Sequence, residues 1–221
     1  MPKKQILITA ATAMELDFLL ARSVQNNELS IVETKTADFT LLVSGIGSAL
    51  TAFSLSKILQ HKNFDAAIQI GIAGSFQEDL LVGSIVKVNS DVFADLCLSD
   101  NGKPIHEAEF SDFRTPPFTE GKLIPNSTIY KKTDLPEASA ITVNSVTSTA
   151  EKRTFWLQRY NPGIETMEGA AFYYACMKEN IPCVQIRAIS NFVGQSNTKN
   201  WNIPLALQNL TDYTLDHLMK S

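Results

Sequence analysis

Short apolar blocks alternate with amphipathic stretches along most of the chain. Residues 5–9 form an apolar run of strand length, and residues 13–23 carry Met14, Phe18, Leu19 and Ala21 at helical spacing. Residues 29–33 and 39–43 predict two strands separated by a polar turn. Ser44, Gly45, Ile46 and Gly47 break that pattern, and residues 48–59 predict a helix. Residues 66–70 predict a short buried strand, followed by Gly71, Ile72, Ala73, Gly74 and Ser75. Further strands are expected over 84–89, 140–146 and 184–189, and helices over 168–179 and 204–218. Residues 98–126 are polar and carry Pro104, Pro116, Pro117 and Pro125; they read as a long excursion, a lid or an interface loop. Strands alternating with helices predict α/β architecture: a three-layer α/β/α arrangement around a central mixed, mostly parallel sheet. No internal repeat or linker interrupts residues 1–221, which are expected to form a single domain.

Bulk properties narrow the function. The chain has 221 residues, 44% of them hydrophobic, which excludes a disordered protein. A net charge of −4 argues against a nucleic-acid partner. Cys97, Cys176 and Cys183 are an odd, sparse set that fits a reducing, cytoplasmic compartment. Lys3 and Lys4 precede an apolar stretch ending near Ala11, Thr12 and Ala13, a pattern shared with secretory leaders. Glu15 and Asp17 follow at once, however, and a buried strand running into a helix explains the segment better. No run reaches transmembrane length, so no membrane partner is expected.

Ligands of open α/β sheets bind beyond the carboxyl ends of the strands. Residues 10–15, 44–47, 71–75 and 190–191 are expected at such ends, and 166–169 at a helix start. Glu15 suits either a positive helix end or a general base; Asp17, further round the helix, should point elsewhere. The amides near Gly45 and Gly47 could hold an anion or a ribose oxygen, or the glycines could serve only their dihedral angles. Neither glycine segment has the spacing of a dinucleotide fingerprint or a phosphate loop. Neither contains Arg or Lys, which disfavours phosphate as a co-substrate. Glu168 reads as a helix-start carboxylate or as a clamp on two neighbouring hydroxyls. Asn191 reads as a turn cap or as a reader of a base edge. His61, His106 and His217 are scattered without metal-ligand spacing, and Cys176 and Cys183 suit a core, so neither metal nor cofactor is expected.

Five segments, in order, resemble the nucleoside phosphorylase and nucleosidase superfamily. They are Thr9 to Ala11 with Glu15 following, Ser44 to Gly47, Gly71 to Gly74, Met167 to Ala170, and Arg187 to Asn191. Within it, the pattern is most similar to methylthioadenosine/S-adenosylhomocysteine nucleosidases and futalosine hydrolases. The resemblance implies a nucleoside phosphorylase-like fold, a small-molecule nucleoside substrate and a dimer-based homo-oligomer in which residues 98–126 border a neighbouring site. It implies that Glu15 activates the attacking water, Glu168 binds the ribose 2′- and 3′-hydroxyls and Met167 packs on the sugar. Asn191 would hydrogen-bond the purine, with Gly74 and Thr147 also contacting substrate. The methylthioadenosine enzymes ordinarily carry aspartate where Asn191 stands. A neutral amide donates to N7 or to a 6-oxo oxygen, which points to hypoxanthine, the base of futalosine. Asparagine transfers no proton, so water would supply one to N7. The tail 194–207, with Asn200, Trp201, Ala206 and Leu207, is also similar to futalosine hydrolases. Arg114 or Arg153 would meet the aromatic carboxylate of futalosine, with Phe110, Phe113 or Phe118 stacking nearby. A methylthioadenosine/S-adenosylhomocysteine nucleosidase, a purine nucleoside phosphorylase and a non-catalytic nucleoside-binding protein are the competing expectations.

Overall fold

A computed structural model describes residues 2–26, 29–96, 99–100, 103–104, 111–195 and 198–219. The first apolar run is β1 (Lys4–Ala10), whose last four residues are buried, and α1 (Ala13–Leu20) follows directly. A meander of β2 (Val24–Asn26), β3 (Leu29–Glu33) and β4 (Ala37–Val43) leads into α2 (Ser48–His61). Next come β5 (Ala66–Ser75) and β6 (Ile85–Phe93), then the short pieces β7 (Ser99–Asp100), β8 (Lys103–Pro104), β9 (Phe118–Thr119) and β10 (Lys122–Leu123). The remainder is α3 (Thr128–Lys132), β11 (Glu137–Thr142), α4 (Ala150–Tyr160), β12 (Ile164–Thr166), α5 (Gly169–Lys178), β13 (Cys183–Phe192) and α6 (Ile203–Tyr213).

The long ladders are parallel, as expected of strands joined through helices: β4–β1–β5–β13 and β6–β11–β12. Antiparallel ladders form the edges and two closing joints. The sheet does not stay open. β5 pairs through its first half with β1, along most of its length with β13, and at its end with β12. β13 in turn pairs with the start of β6. Strands β5, β13, β6, β11 and β12 therefore close on themselves, and β1 to β4 extend from β5 as a wing. Ten-residue strands make this possible, because one strand outlasts its first neighbour and takes a second.

Helices cover both faces. Leu16 and Leu19 of α1 join Ala206 and Leu210 of α6 in one apolar cluster with Ile8, Ile68 and Ile186. Leu55 and Ile58 of α2 join Phe172, Tyr173 and Cys176 of α5 in another. Trp156 of α4 packs with Phe76, Val92, Ile141 and Val193 in a third. None of the described helices is long and apolar enough to cross a membrane.

Several elements depart from expectation. The strand predicted over 66–70 continues through the glycines to Ser75, because neighbouring strands hydrogen-bond it there. The strand predicted over 140–146 lies earlier, as β11. Only three residues form β12, too few to show a period. α4 is mostly polar, with one buried residue, Trp156, and it escapes an apolar pattern. The last helix ends in a π-helical turn over Thr214–Leu218. Cys97, His106 and Phe110 lie outside the described residues. In the described part of the 98–126 segment, β9 and β10 extend the sheet from β6, and Phe113 and Phe118 are buried edge-to-face, 4.7 Å apart.

Candidate active site

A cavity of about 260 Å³ opens at the carboxyl ends of β1, β4, β5 and β13. All five candidate segments contribute to its wall: Thr12, Met14 and Glu15; Ile46; Ile72, Ala73 and Gly74; Thr166, Met167 and Glu168; Ser190 and Asn191. The turns after parallel strands bring residues distant in sequence to one mouth, as the topology requires.

Glu15 is the third residue of α1 and is buried, whereas Asp17 is exposed. Its Oε2 accepts hydrogen bonds from the Thr12 N–H and the Thr12 hydroxyl, both at 2.9 Å, and its Oε1 accepts from the Ile72 N–H at 3.1 Å. The helix-capping role and a role in the cavity therefore coexist in one carboxylate. Glycine at 71 makes room for it: a Cβ there would lie 2.9 Å from Glu15 Oε1 and 2.6 Å from Arg187 Nη1.

Glu168 sits at the N-cap of α5, and its Oε1 accepts from the Gly47 N–H at 2.9 Å. Gly47 has φ +91°, a left-handed conformation that a side chain would strain. Burial raises the Glu168 carboxyl above its ordinary range, while the Arg187 charge and the Gly47 N–H pull it down and Glu15 pushes it up. The start of α5 is fixed to the sheet. Thr142 donates to Asp91 at 2.9 Å and accepts from the Ala170 N–H at 2.8 Å, and Gln185 bridges Asp91 and the Gly169 carbonyl.

Asn191 is buried, with its Oδ1 accepting from Ser190 Oγ at 2.8 Å and its Nδ2 donating one hydrogen to the Phe192 carbonyl at 3.2 Å. A Cβ on Gly74 would lie 3.2 Å from that nitrogen and 2.9 Å from Val193 Cγ2, so glycine makes room for the amide in the cavity wall.

Thr147 is not in the cavity wall, whereas its neighbour Val146 is. The Thr147 N–H donates to Glu165 Oε1 at 2.9 Å, its carbonyl accepts from the Gly194 N–H, and its hydroxyl accepts from the Trp156 indole at 3.0 Å. All its polar groups are engaged by protein. Arg114 and Arg153 are also absent from the wall, and Arg153 donates to the Phe76 carbonyl. Phe113 and Phe118 belong to the core and stack on no ligand face.

Three residues were given no role of their own in the sequence reading. Arg187, on β13, is almost wholly buried and donates to Gln69 and to Gln185. An arginine alternating with glutamine inside an apolar strand was the available signal, since burying a charge demands partners. Glu165, on β12, lines the cavity; burial raises its carboxyl, and the Thr147 hydroxyl and N–H pull it down. Its Oε2 is buried with no hydrogen-bond partner among the described residues. Trp201 also lines the cavity, with its indole N–H buried and unpartnered among them. Position 201 was noticed only as part of a tail.

Buried acids beside an amide, around one pocket, can hold a sugar's hydroxyls, orient water and read a base. The curated futalosine hydrolase of Streptomyces coelicolor is 30% identical over 182 residues, covering 78% of this chain and 75% of that protein. That of Thermus thermophilus is 28% identical over 184 residues, covering 80% and 79%. The solved methylthioadenosine/S-adenosylhomocysteine nucleosidase of Helicobacter pylori superposes with a TM-score of 0.80 over the full length of both chains, at 14% identity, a likeness of fold. Fold, site and relatives define the class, an enzyme that cleaves N-glycosidic bonds. The phosphorylase superfamily pattern spans residues 5–218, and the chain belongs to that superfamily and, within it, to the futalosine hydrolase family.

Proposed function

We propose that this chain hydrolyses the N-glycosidic bond of futalosine, releasing hypoxanthine and dehypoxanthine futalosine, in the cytoplasm and in the service of menaquinone biosynthesis. The observation that carries the choice of base is Asn191. Its amide stands in the cavity wall beside Gly74; one hydrogen goes to the Phe192 carbonyl, and the second is the donor to an acceptor on a 6-oxopurine.

In this reading Glu168 receives the ribose 2′- and 3′-hydroxyls and Met167 packs on the sugar. Glu15, held by three hydrogen bonds, orients the water and takes its proton as the water attacks the anomeric carbon. The bond to the purine breaks with its electron pair leaving on the base. Asn191 hydrogen-bonds the base as negative charge builds there, and water supplies the proton to N7. Among the described residues the cavity wall includes no Arg or Lys, which supports water over phosphate as the nucleophile.

The test is release of hypoxanthine from futalosine by purified protein, with and without phosphate. Hypoxanthine appearing at the same rate in both supports the proposal; strict phosphate dependence makes the protein a phosphorylase. The fold shared with methylthioadenosine/S-adenosylhomocysteine nucleosidases supports a second reading, adenine release from methylthioadenosine, measured in the same assay. Tight nucleoside binding without any turnover would leave only a binding protein.

A further inference from the structure

Gly74 has two register partners. Glu165 of β12 lies opposite it on one side and Asn191 of β13 on the other. Residues directly opposed on neighbouring strands present their side chains to the same face, so Glu165 and Asn191 stand on one face with a glycine between them. Two strand spacings, roughly 9.5 Å, separate their backbones. All three residues line the cavity. A flat bicyclic base lying over Gly74 would have one edge towards each side chain.

The two ends of the Glu165 carboxylate are not equivalent. Oε1 is pinned by the Thr147 N–H at 2.9 Å, and Thr147 is itself fixed through the Trp156 indole and the Gly194 N–H. Oε2 is buried and has no partner among the described residues. A buried, unsatisfied carboxylate oxygen costs stability and is retained where a ligand donor completes it.

We propose that Glu165 is a specificity-determining residue, whose Oε2 accepts the N1–H of a 6-oxopurine while Asn191 donates to the opposite edge. The inference rests on the purine-cleaving reading of the same cavity. A 6-oxopurine carries a hydrogen on N1; a 6-aminopurine carries a lone pair there, which a carboxylate repels. The pair Glu165 and Asn191 thus checks two edges of one base. Thr147 is a positioning residue for it.

Glu165→Gln tests this. Glutamine keeps an oxygen to accept from the Thr147 N–H, so its free end becomes an NH2 group, which only donates. It opposes N1–H and suits the N1 lone pair. The substrates are futalosine and its 6-amino analogue, which share everything but the base edge. Their kcat/KM ratio should move at least about a hundredfold towards the 6-amino compound, because an opposed pair of buried donors is strongly rejected. A merely structural role lowers both substrates alike, and an unchanged ratio overturns the proposal. Calorimetry on the wild-type protein gives an answer independent of folding of the variant. Hypoxanthine should bind at least about tenfold more tightly than 1-methylhypoxanthine, which lacks the N1 hydrogen, and equal affinities overturn the proposal. Wild-type protein that releases no base from any purine nucleoside would instead end the underlying function. Hypoxanthine release with an unmoved preference in the variant ends only the role of Glu165.

Discussion

At the scale of single residues, the site depends on carboxylates whose oxygens are individually committed. Glu15 is anchored through both oxygens, so Glu15→Gln removes the proton acceptor, keeps one of the two anchoring ends and turns the other into an NH2 group facing an N–H. Glu15→Gln should lower kcat by about a thousandfold with KM little changed, as expected of a lost general base. Steady-state kinetics check this, and near-normal turnover would assign the proton transfer elsewhere. Asp91 makes a different prediction. It is buried behind the site, and burial raises its carboxyl from 3.8 to about 6, against the hydrogen bonds from Gln185 and Thr142. A carboxyl raised in the folded chain contributes stability that is fully present below about 3.8 and is lost as pH rises through about 6. Asp91→Asn has no such loss. Its stability relative to wild type should therefore grow by roughly 3 kcal/mol between pH 4 and pH 8. Denaturant unfolding at both pH values measures the difference, and parallel curves would mean that Asp91 does not titrate in that window.

At the scale of elements, β5 is both a core strand and part of the cavity wall. Its first residues bury side chains between β1 and β13, and Ile72, Ala73 and Gly74 near its end line the cavity. Gly71→Ala puts a methyl group 2.6 Å from Arg187 Nη1 and 2.9 Å from Glu15 Oε1. The variant should lose about 1–3 kcal/mol to overpacking, together with most of its turnover. Thermal unfolding and kinetics on one preparation check both, and a stable, fully active variant would show that neither side chain needs its present place. β12 is the element that pattern reading could not find. Three residues carry no period, yet the strand delivers Glu165 to the cavity and leads to Met167 and Glu168 in its wall.

At the scale of the whole molecule, the cavity mouth is more apolar and more exposed than a finished site would be. Met14 and Ile46 line the cavity and are 64% and 55% exposed, while Leu50 and Phe53, on one face of α2, are 55% and 71% exposed. These residues support the proposal of a dimer whose second subunit closes the mouth. Light scattering should give twice the mass of one chain, and Phe53→Glu should yield monomers with a raised KM. A wild-type monomer with full activity would refute the arrangement. The layered α/β plan was readable in the sequence because long strands and amphipathic helices repeat their periods. Glu15, Glu168 and Asn191 were readable as site candidates because they follow predicted strands or open a predicted helix. Arg187 and Glu165 were not, since their places depend on which strands become neighbours. The closure that pairs β5 with β12 arises from strand length and curvature and leaves no local mark.

Gly74 gives the cavity wall no side chain, so that point offers selection little to adjust. Changes there should be all or nothing. The two walls can vary by degrees, because positions 165 and 191 stand on different strands and move independently. A search for variants that accept a new base should accumulate its successes at those two positions and return Gly74 unaltered.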